Sequence, residues 1–263
     1  MNRQSGPPVP SAFPRNPAYG SGIYRRRIRL IRQERAVLSL IDDTNHAMWA
    51  RIYHDSCHVT ATEGQTIRAP NSNCPDASTA LKELVGLPLA MPRAGLFGEG
   101  RPFRNCTHLF DAAALAMEEA LRDEPGRIYD IIIPDESDLP IVAEVLLNGR
   151  PLLSWRLSKG AVIEFDPKAP IPIMKGFTSW ATRHLQGEEL DAAFLLQRAY
   201  LVSTARHWIV DQSPDLPITS MPELLGACYA YQPERVSEGV QAINTVIDLS
   251  AGFTDATLQP LPQ

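Results

Sequence analysis

No run in this chain reaches the roughly 18 consecutive apolar residues that a bilayer-crossing helix requires, and the N-terminus lacks the apolar core of a signal peptide. Both absences point to a cytoplasmic protein without a membrane partner. Cysteine is scarce, 4 in 263 residues with no close pairing pattern, which fits a reducing compartment where thiols stay free for chemistry or packing. Positive charge is in deficit as well. With 30 acidic against 25 basic residues the net charge is −5 and the pI near 5.7. A nucleic-acid partner would ask for a basic face, so none is expected. The glycines around Gly95, Gly98 and Gly100 are followed by no Gly-Lys-Ser/Thr, and no strand feeds them, so they read as a mobile loop rather than a phosphate cradle. What the chain does have is 44% hydrophobic content, enough for a sizeable core in one large domain or two modest ones.

Residues 1–22 hold Pro7, Pro8, Pro10, Pro14 and Pro17 among Gly, Ser and Asn, a composition that buries too little apolar surface to order itself and reads as a tail or a strap. From Tyr24 to Arg32 arginines alternate with Ile28 and Leu30 in the period of a half-buried strand, with the arginines on a solvated face. Apolar runs at Ala36–Ile41, Ala47–Tyr53 and Val59–Ile67 predict three more strands, the last two forming a hairpin around His54-Asp55-Ser56. Helices are expected over 76–85, ended by Gly86, and over 107–122, with Leu109, Phe110, Ala113, Ala114 and Met117 inward. The second half opens with a strand at 129–133. A hairpin follows around Asn148-Gly149, the strongest short-range turn signal in the chain, and then a strand at 161–165. Helical segments are expected at 188–210, after a capping box at Ser220 to Glu223, and from Pro233 to about Leu249.

Two cysteines stand at helix openings. Cys74 precedes Pro75 and Asp76, and Cys106 precedes Thr107-His108 with Asp111 in the first turn. The partial positive charge of a helix N-terminus favours thiolate, the form that binds metals and attacks electrophiles. The alternative is that both are small buried hydrophobes. Cys57, in a turn, and Cys228 read as structural. His46 and His108 are the histidines most suited to chemistry. His54 and His58 border a turn, and His184 and His207 read as surface or capping groups. Trp49, Trp155, Phe177 and Trp180 either line a pocket for an aromatic substrate or belong to the core.

The order of a strand hairpin, a cysteine, an Ala/Ser-rich helix ending Glu83-Leu84-Val85-Gly86 and a second cysteine opening an Ala-rich helix resembles the NifU/IscU-type iron-sulfur scaffold over residues 36–123. In that fold three cysteines converge. Here Cys74 and Cys106 match the second and third, His46 falls near the place of the first, and Asn73 stands where the scaffolds carry glycine. Further phrases, Tyr24 to Arg27, Asp43 to His46, Tyr53 to Asp55, Asn105 to Asp111 and Cys228 to Arg235, are similar to a bacterial family known as a domain of unknown function. That family is frequent in proteobacteria that degrade aromatic compounds. Its usual glycine after His-Asp is Ser56 here.

These resemblances imply an α+β protein: a NifU/IscU-like β-hairpin with helices, followed by a β-hairpin and helical C-terminal half packed on it. The expected division is 1–23 tail or strap, 24–126 scaffold-like domain and 127–263 β-hairpin and helical domain. If His46, Cys74 and Cys106 converge, their mixed N/S set suits zinc or iron with one position open for catalysis, although their spacing matches no local zinc motif. A version without cofactor uses Asp43, His46, Tyr53, His54 and His108 as general acids and bases. The expected function is a small-molecule enzyme, a lyase or hydrolase on an aromatic or carboxylated catabolite. An iron-sulfur or sulfur carrier is the alternative, and a homo-oligomer is an open one.

Overall fold

The computed structural model describes residues 13–123, 126–166 and 168–253; the tail beyond Phe253 and the first twelve residues lie outside them. The architecture is α+β, with antiparallel strands and helices falling into two compact units. The larger comprises residues 27–128, 210–247 and 253, and the smaller 13–26, 129–209 and 248–252.

In the larger unit the chain runs through β1 (Ile23–Gln33, which enters from the smaller unit), β2 (Ala36–Asp43), β3 (Ala47–His54) and β4 (Val59–Arg68), adjacent in the order β4-β3-β2-β1. β2 and β3 pair antiparallel with Leu38 opposite Arg51 and Asp42 opposite Ala47, and β3 pairs with β4 antiparallel. All eight residues of β2 are buried, so both of its faces are covered. Three helices follow: α1 (Arg93–Leu96), α2 (Arg101–Arg104) and α3 (Thr107–Ala120). The first two lie inside the stretch read as a mobile loop. Leu109, Phe110, Ala113, Ala114 and Met117 recur at helical spacing, are all buried, and pack α3 onto β2 and β3.

The segment after Cys74 is helical as expected but is wound as a 3-10 helix, Pro75–Leu84, with Ala77, Leu81 and Leu84 buried against β4. Gly64 on β4 makes that approach possible: a Cβ there would stand 3.0 Å from Leu81 Cδ1. The helix expected from Pro233 to Leu249 is absent. Short 3-10 turns at Tyr229–Tyr231 and Val236–Glu238 give way to irregular chain over 240–247. Its backbone bonds to distant residues: Ser72 N–H to Val240 O, Ala242 N–H to Pro70 O and Ile247 N–H to Thr44 O, at 3.0, 2.7 and 2.9 Å. Tertiary hydrogen bonds took the backbone groups that a helix would have used locally.

The smaller unit holds β5 (Ile128–Pro134), β6 (Ile141–Leu147), β7 (Arg150–Ser158), β8 (Ala161–Val162) and β9 (Ile171–Pro172), adjacent in that order, with α4 (Phe177–His184) and α5 (Gly187–Ser203). The β6–β7 turn has Asn148 and Gly149 at φ 51° and 77°, both positive as a type I′ turn demands. α5 is shorter than the expected 188–210 because the chain tightens into a 3-10 turn, Thr204–His207. Along β1 the buried residues are Tyr24, Arg26, Ile28 and Leu30. Arg26 therefore faces inward, unlike the half-buried Arg25, Arg27 and Arg29. No helix among the described residues is long and apolar enough to cross a membrane.

Candidate functional site

The β2–β3 connection in the larger unit, Asp42-Asp43-Thr44-Asn45-His46, is polar throughout, yet every one of its residues is buried. Polar hairpin turns ordinarily face water, because burial strips their groups of hydration. Asp43 organises this one. Its Oδ1 accepts the backbone N–H groups of Asn45 at 2.7 Å and His46 at 2.8 Å, while its own N–H donates to His46 O at 2.8 Å. The same Oδ1 lies 3.2 Å from His46 Nδ1. An oxygen already serving as acceptor twice requires the donor there, so Nδ1 carries a proton.

His108, in the first turn of α3, lays its ring on that of His46, with centroids 4.1 Å apart and planes 28° from parallel. Two imidazoles thus stand side by side, one oriented by a wholly buried carboxylate. Of the residues expected to act together, Asp43, His46 and His108 converge. Tyr53 and His54 do not. They occupy the far end of β3, roughly 23–26 Å from His46 at about 3.3 Å per strand residue. Tyr53 OH donates to Glu63 Oε2 at 3.1 Å, and His54 Nδ1 accepts the N–H of Ser56 at 3.3 Å. Burial, reinforced by the charges of Arg32 and Arg35, lowers the His54 pKa.

Two groups that sequence reasoning passed over hold the turn. Arg68 ends β4, and its Nη1 donates to Thr44 O at 2.9 Å and Thr245 O at 2.8 Å. Its Nη2 donates to Asp42 Oδ1 at 2.7 Å, Asp43 O at 2.6 Å and His46 O at 3.1 Å. Asp42 is fully buried, and burial pushes its pKa up to about 6, although Arg68 pulls the other way. Asp42 Oδ2, Thr44 Oγ1 and Asn45 Nδ2 find no hydrogen-bond partner among the described residues. Three orphaned polar atoms in one turn cost of the order of 1–3 kcal/mol each, a burden that structural turns avoid and functional ones tolerate.

Cys74 and Cys106 do stand at the openings of the Pro75–Leu84 helix and α3, and both are free thiols. Cys228 joins them. Tyr229 N–H donates to Asn105 O at 2.8 Å and Asn73 Nδ2 to Ala230 O at 3.1 Å, so each cysteine flanks a bonded neighbour of another. The thiolate expected from the helix openings is the weaker effect. Burial drives the Cys106 pKa up to about 12, overriding the N–H groups of Leu109 and His108 that favour the anion. Burial likewise raises Cys74, with the neighbouring sulfurs of Cys106 and Cys228 adding to it, and raises Cys228. A single helix terminus is worth at most about 2 kcal/mol to a charge, less than desolvation of a buried one. Among the described residues no three His, Cys, Asp or Glu side chains are placed to hold a metal ion. His46, Cys74 and Cys106, expected to converge on zinc or iron, are not such a group.

The smaller unit has a polar cluster of its own. Residues 13–22 lie across it as a strap: Asn16 N–H donates to His207 O, Ile209 N–H to Pro14 O, and the Tyr19 ring stacks on His207 at 3.6 Å. Asp135 is its anchor. Oδ1 takes Arg206 Nε at 2.6 Å, and Oδ2 takes Arg206 Nη2 and the N–H groups of Gly20 and Gly22 at 3.0–3.1 Å. His207, read from sequence as a surface group, is packed against Tyr19, and burial lowers its pKa. A cavity of about 10 Å³, room for a single water, remains between Tyr19, Glu136, Tyr200 and His207. Gly22 has no space for a side chain, since a Cβ would fall 1.8 Å from Arg206 Nη2. Gly22→Ala is expected to displace the pinned guanidinium and cost about 1–3 kcal/mol, read as a lower unfolding midpoint of the smaller unit in urea.

Trp155, Phe165, Phe177 and Trp180 of this unit pack edge-on or tilted at 5.4–6.1 Å as one aromatic cluster. Trp49, by contrast, is on β3 and donates to Gln65. No family model, curated protein or solved structure matches the chain.

Proposed function

We propose that this protein is a cytoplasmic small-molecule enzyme, a lyase or hydrolase, whose general base is His46 of the larger unit. The observation that carries the reading is the Asp43–His46–His108 arrangement, a buried carboxylate 3.2 Å from Nδ1 of a histidine whose ring is stacked on a second imidazole. Asp43 keeps the proton on Nδ1 and stabilises the imidazolium that forms when Nε2 takes a proton from substrate or from an attacking water. His108, at the same face, returns a proton to the leaving group. The orphaned polar atoms of the turn support the reading, because a site selected for stability alone would have paired them. An aromatic or carboxylated catabolite as substrate follows from the similarity of the Asp43 to His46 and Asn105 to Asp111 phrases to a family frequent in aromatic-degrading bacteria. The scaffold-like reading of residues 36–123 belongs here too, supported by the run of antiparallel strands followed by two helices with cysteines at their openings. A sulfur or cluster carrier would call for accessible thiolates, whereas burial raises the pKa of both Cys74 and Cys106.

Purified protein is to be assayed with 4-nitrophenyl esters of aromatic and aliphatic acids, and with aromatic β-hydroxy acids that can lose water. Turnover in one class is expected, and His46→Gln should reduce kcat/KM by about a hundredfold or more with the circular dichroism unchanged. Turnover that survives His46→Gln, or none in either class, overturns the reading.

A further inference from the structure

The β2–β3 turn has little of its own to hold it in shape: its side chains leave three polar atoms orphaned, and Asp43 alone ties it locally. The constraint comes instead from one guanidinium two strands away. Arg68 Nη2 touches the carbonyls on either side of the Thr44–Asn45 tip, Asp43 O and His46 O, and Nη1 touches Thr44 O at the tip itself. Three of the turn's carbonyls therefore converge on one planar cation. Register explains how it reaches them. Asp42, Ala47 and Arg68 are cross-strand partners on β2, β3 and β4, so Arg68 lies in line with the turn and its fork folds back over it. The Asp42 carboxylate balances the buried charge, and Thr245 O ties the same guanidinium to the irregular 240–247 segment, whose Ile247 N–H also reaches Thr44 O. Lysine offers no planar fork and cannot span five acceptors.

We propose that Arg68 is the positioning residue of the His46 site, its fork fixing the turn in the one conformation that sets His46 Nδ1 on Asp43 and leaves Nε2 bare. This rests on His46 being the base. Arg68 touches no substrate in this role. It acts through the His46 and Asp43 backbone, so its removal alters the imidazole without removing either catalytic group.

Two-bond ¹H–¹⁵N spectra of the full ¹⁵N-labelled chain report which ring nitrogen of His46 carries the proton. The wild type is expected to show a protonated Nδ1 and a bare Nε2, with cross-relaxation between the His46 and His108 rings. Arg68→Lys, which keeps the charge opposite Asp42, is expected to lose that signature, its nitrogen shifts moving to tautomer-averaged values as the ring contact weakens. Should Arg68→Lys fail to fold, the double variant Asp42→Leu/Arg68→Met removes the buried charge pair as a whole, a change that proteins commonly tolerate, and the same loss is expected. A folded variant with wild-type His46 signals overturns the inference, because a merely structural arginine would leave the tautomer unmoved. A wild type whose His46 is bare at Nδ1 instead overturns the catalytic reading, whatever the variants do.

Discussion

Arg68→Leu is expected to destabilise the larger unit by about 3–5 kcal/mol, the usual result of removing one partner from a buried pair. The guanidinium makes five hydrogen bonds, and the side chain of its ionic partner Asp42 has no solvent exposure. Without Arg68 the Asp42 carboxylate is left uncompensated and three turn carbonyls each lose a hydrogen bond, although His46 O keeps the N–H of Asp43 and Thr44 O that of Ile247. The sign of the pH dependence follows. Burial raises Asp42 from its ordinary 3.8 to about 6 even with Arg68 present. A raised carboxylate gives stability that is complete below 3.8 and lost as pH rises through 6, here about 3 kcal/mol over that window at about 1.4 kcal/mol per pH unit. Losing Arg68 raises Asp42 further. The deficit of Arg68→Leu should therefore be larger at pH 7 than at pH 5, where the mutant protonates Asp42. Urea unfolding at the two pH values measures this, and an equal deficit at both would show that Asp42 is not the charge left behind.

Asp135→Ala should weaken the smaller unit by a comparable 3–5 kcal/mol, with the opposite pH behaviour. The carboxylate accepts four hydrogen bonds, two from Arg206 and two from the strap at Gly20 and Gly22. Its loss strands a mostly buried guanidinium and unfastens residues 13–22. Burial alone would raise the Asp135 pKa, but the Arg206 hydrogen bond and charge, with the two glycine N–H groups, outweigh it and hold the carboxyl below its ordinary value. A depressed carboxylate gives stability that is present above the unfolded pKa and lost as pH falls through the folded one, so the wild-type strap weakens below about pH 4. His207 adds an earlier step. Its pKa is depressed by burial, so its stabilisation exists above about pH 6.5 and is lost below as the ring protonates. Between pH 7 and 5 amide protection factors should fall in residues 13–22. Asp42 acts the other way in the larger unit over that interval. Protection in the strap that is independent of pH, or unchanged in Asp135→Ala, would disprove the anchoring role.

Much of this was legible in the residues. Period-two alternation marked β1 and apolar runs marked β2 to β5, both local features of the chain, and Asn148-Gly149 located the β6–β7 turn because only such residues accept two positive φ angles in succession. The 3.6-residue recurrence from Leu109 to Met117 marked α3 and its buried face. Asp43 and His46 could be paired from sequence because they meet within one turn, and His108 stood out as the histidine opening an Ala-rich helix. What failed was non-local. The Pro233–Leu249 segment has helical elements of sequence, yet its backbone is claimed by residues 44, 70 and 72. The pairing of Arg68 with Asp42 spans 26 residues, and no local pattern announces it.

The sequence by itself determined the strands, the N-G turn and the main helix, all governed by interactions between residues close along the chain. Tertiary structure alone decided which polar groups would be denied water. That decision raised the pKa of the helix-opening thiols, pushed that of Asp42 up to about 6 and gave Arg68 its place, since desolvation depends on everything packed around a charge and not on its neighbours in the chain.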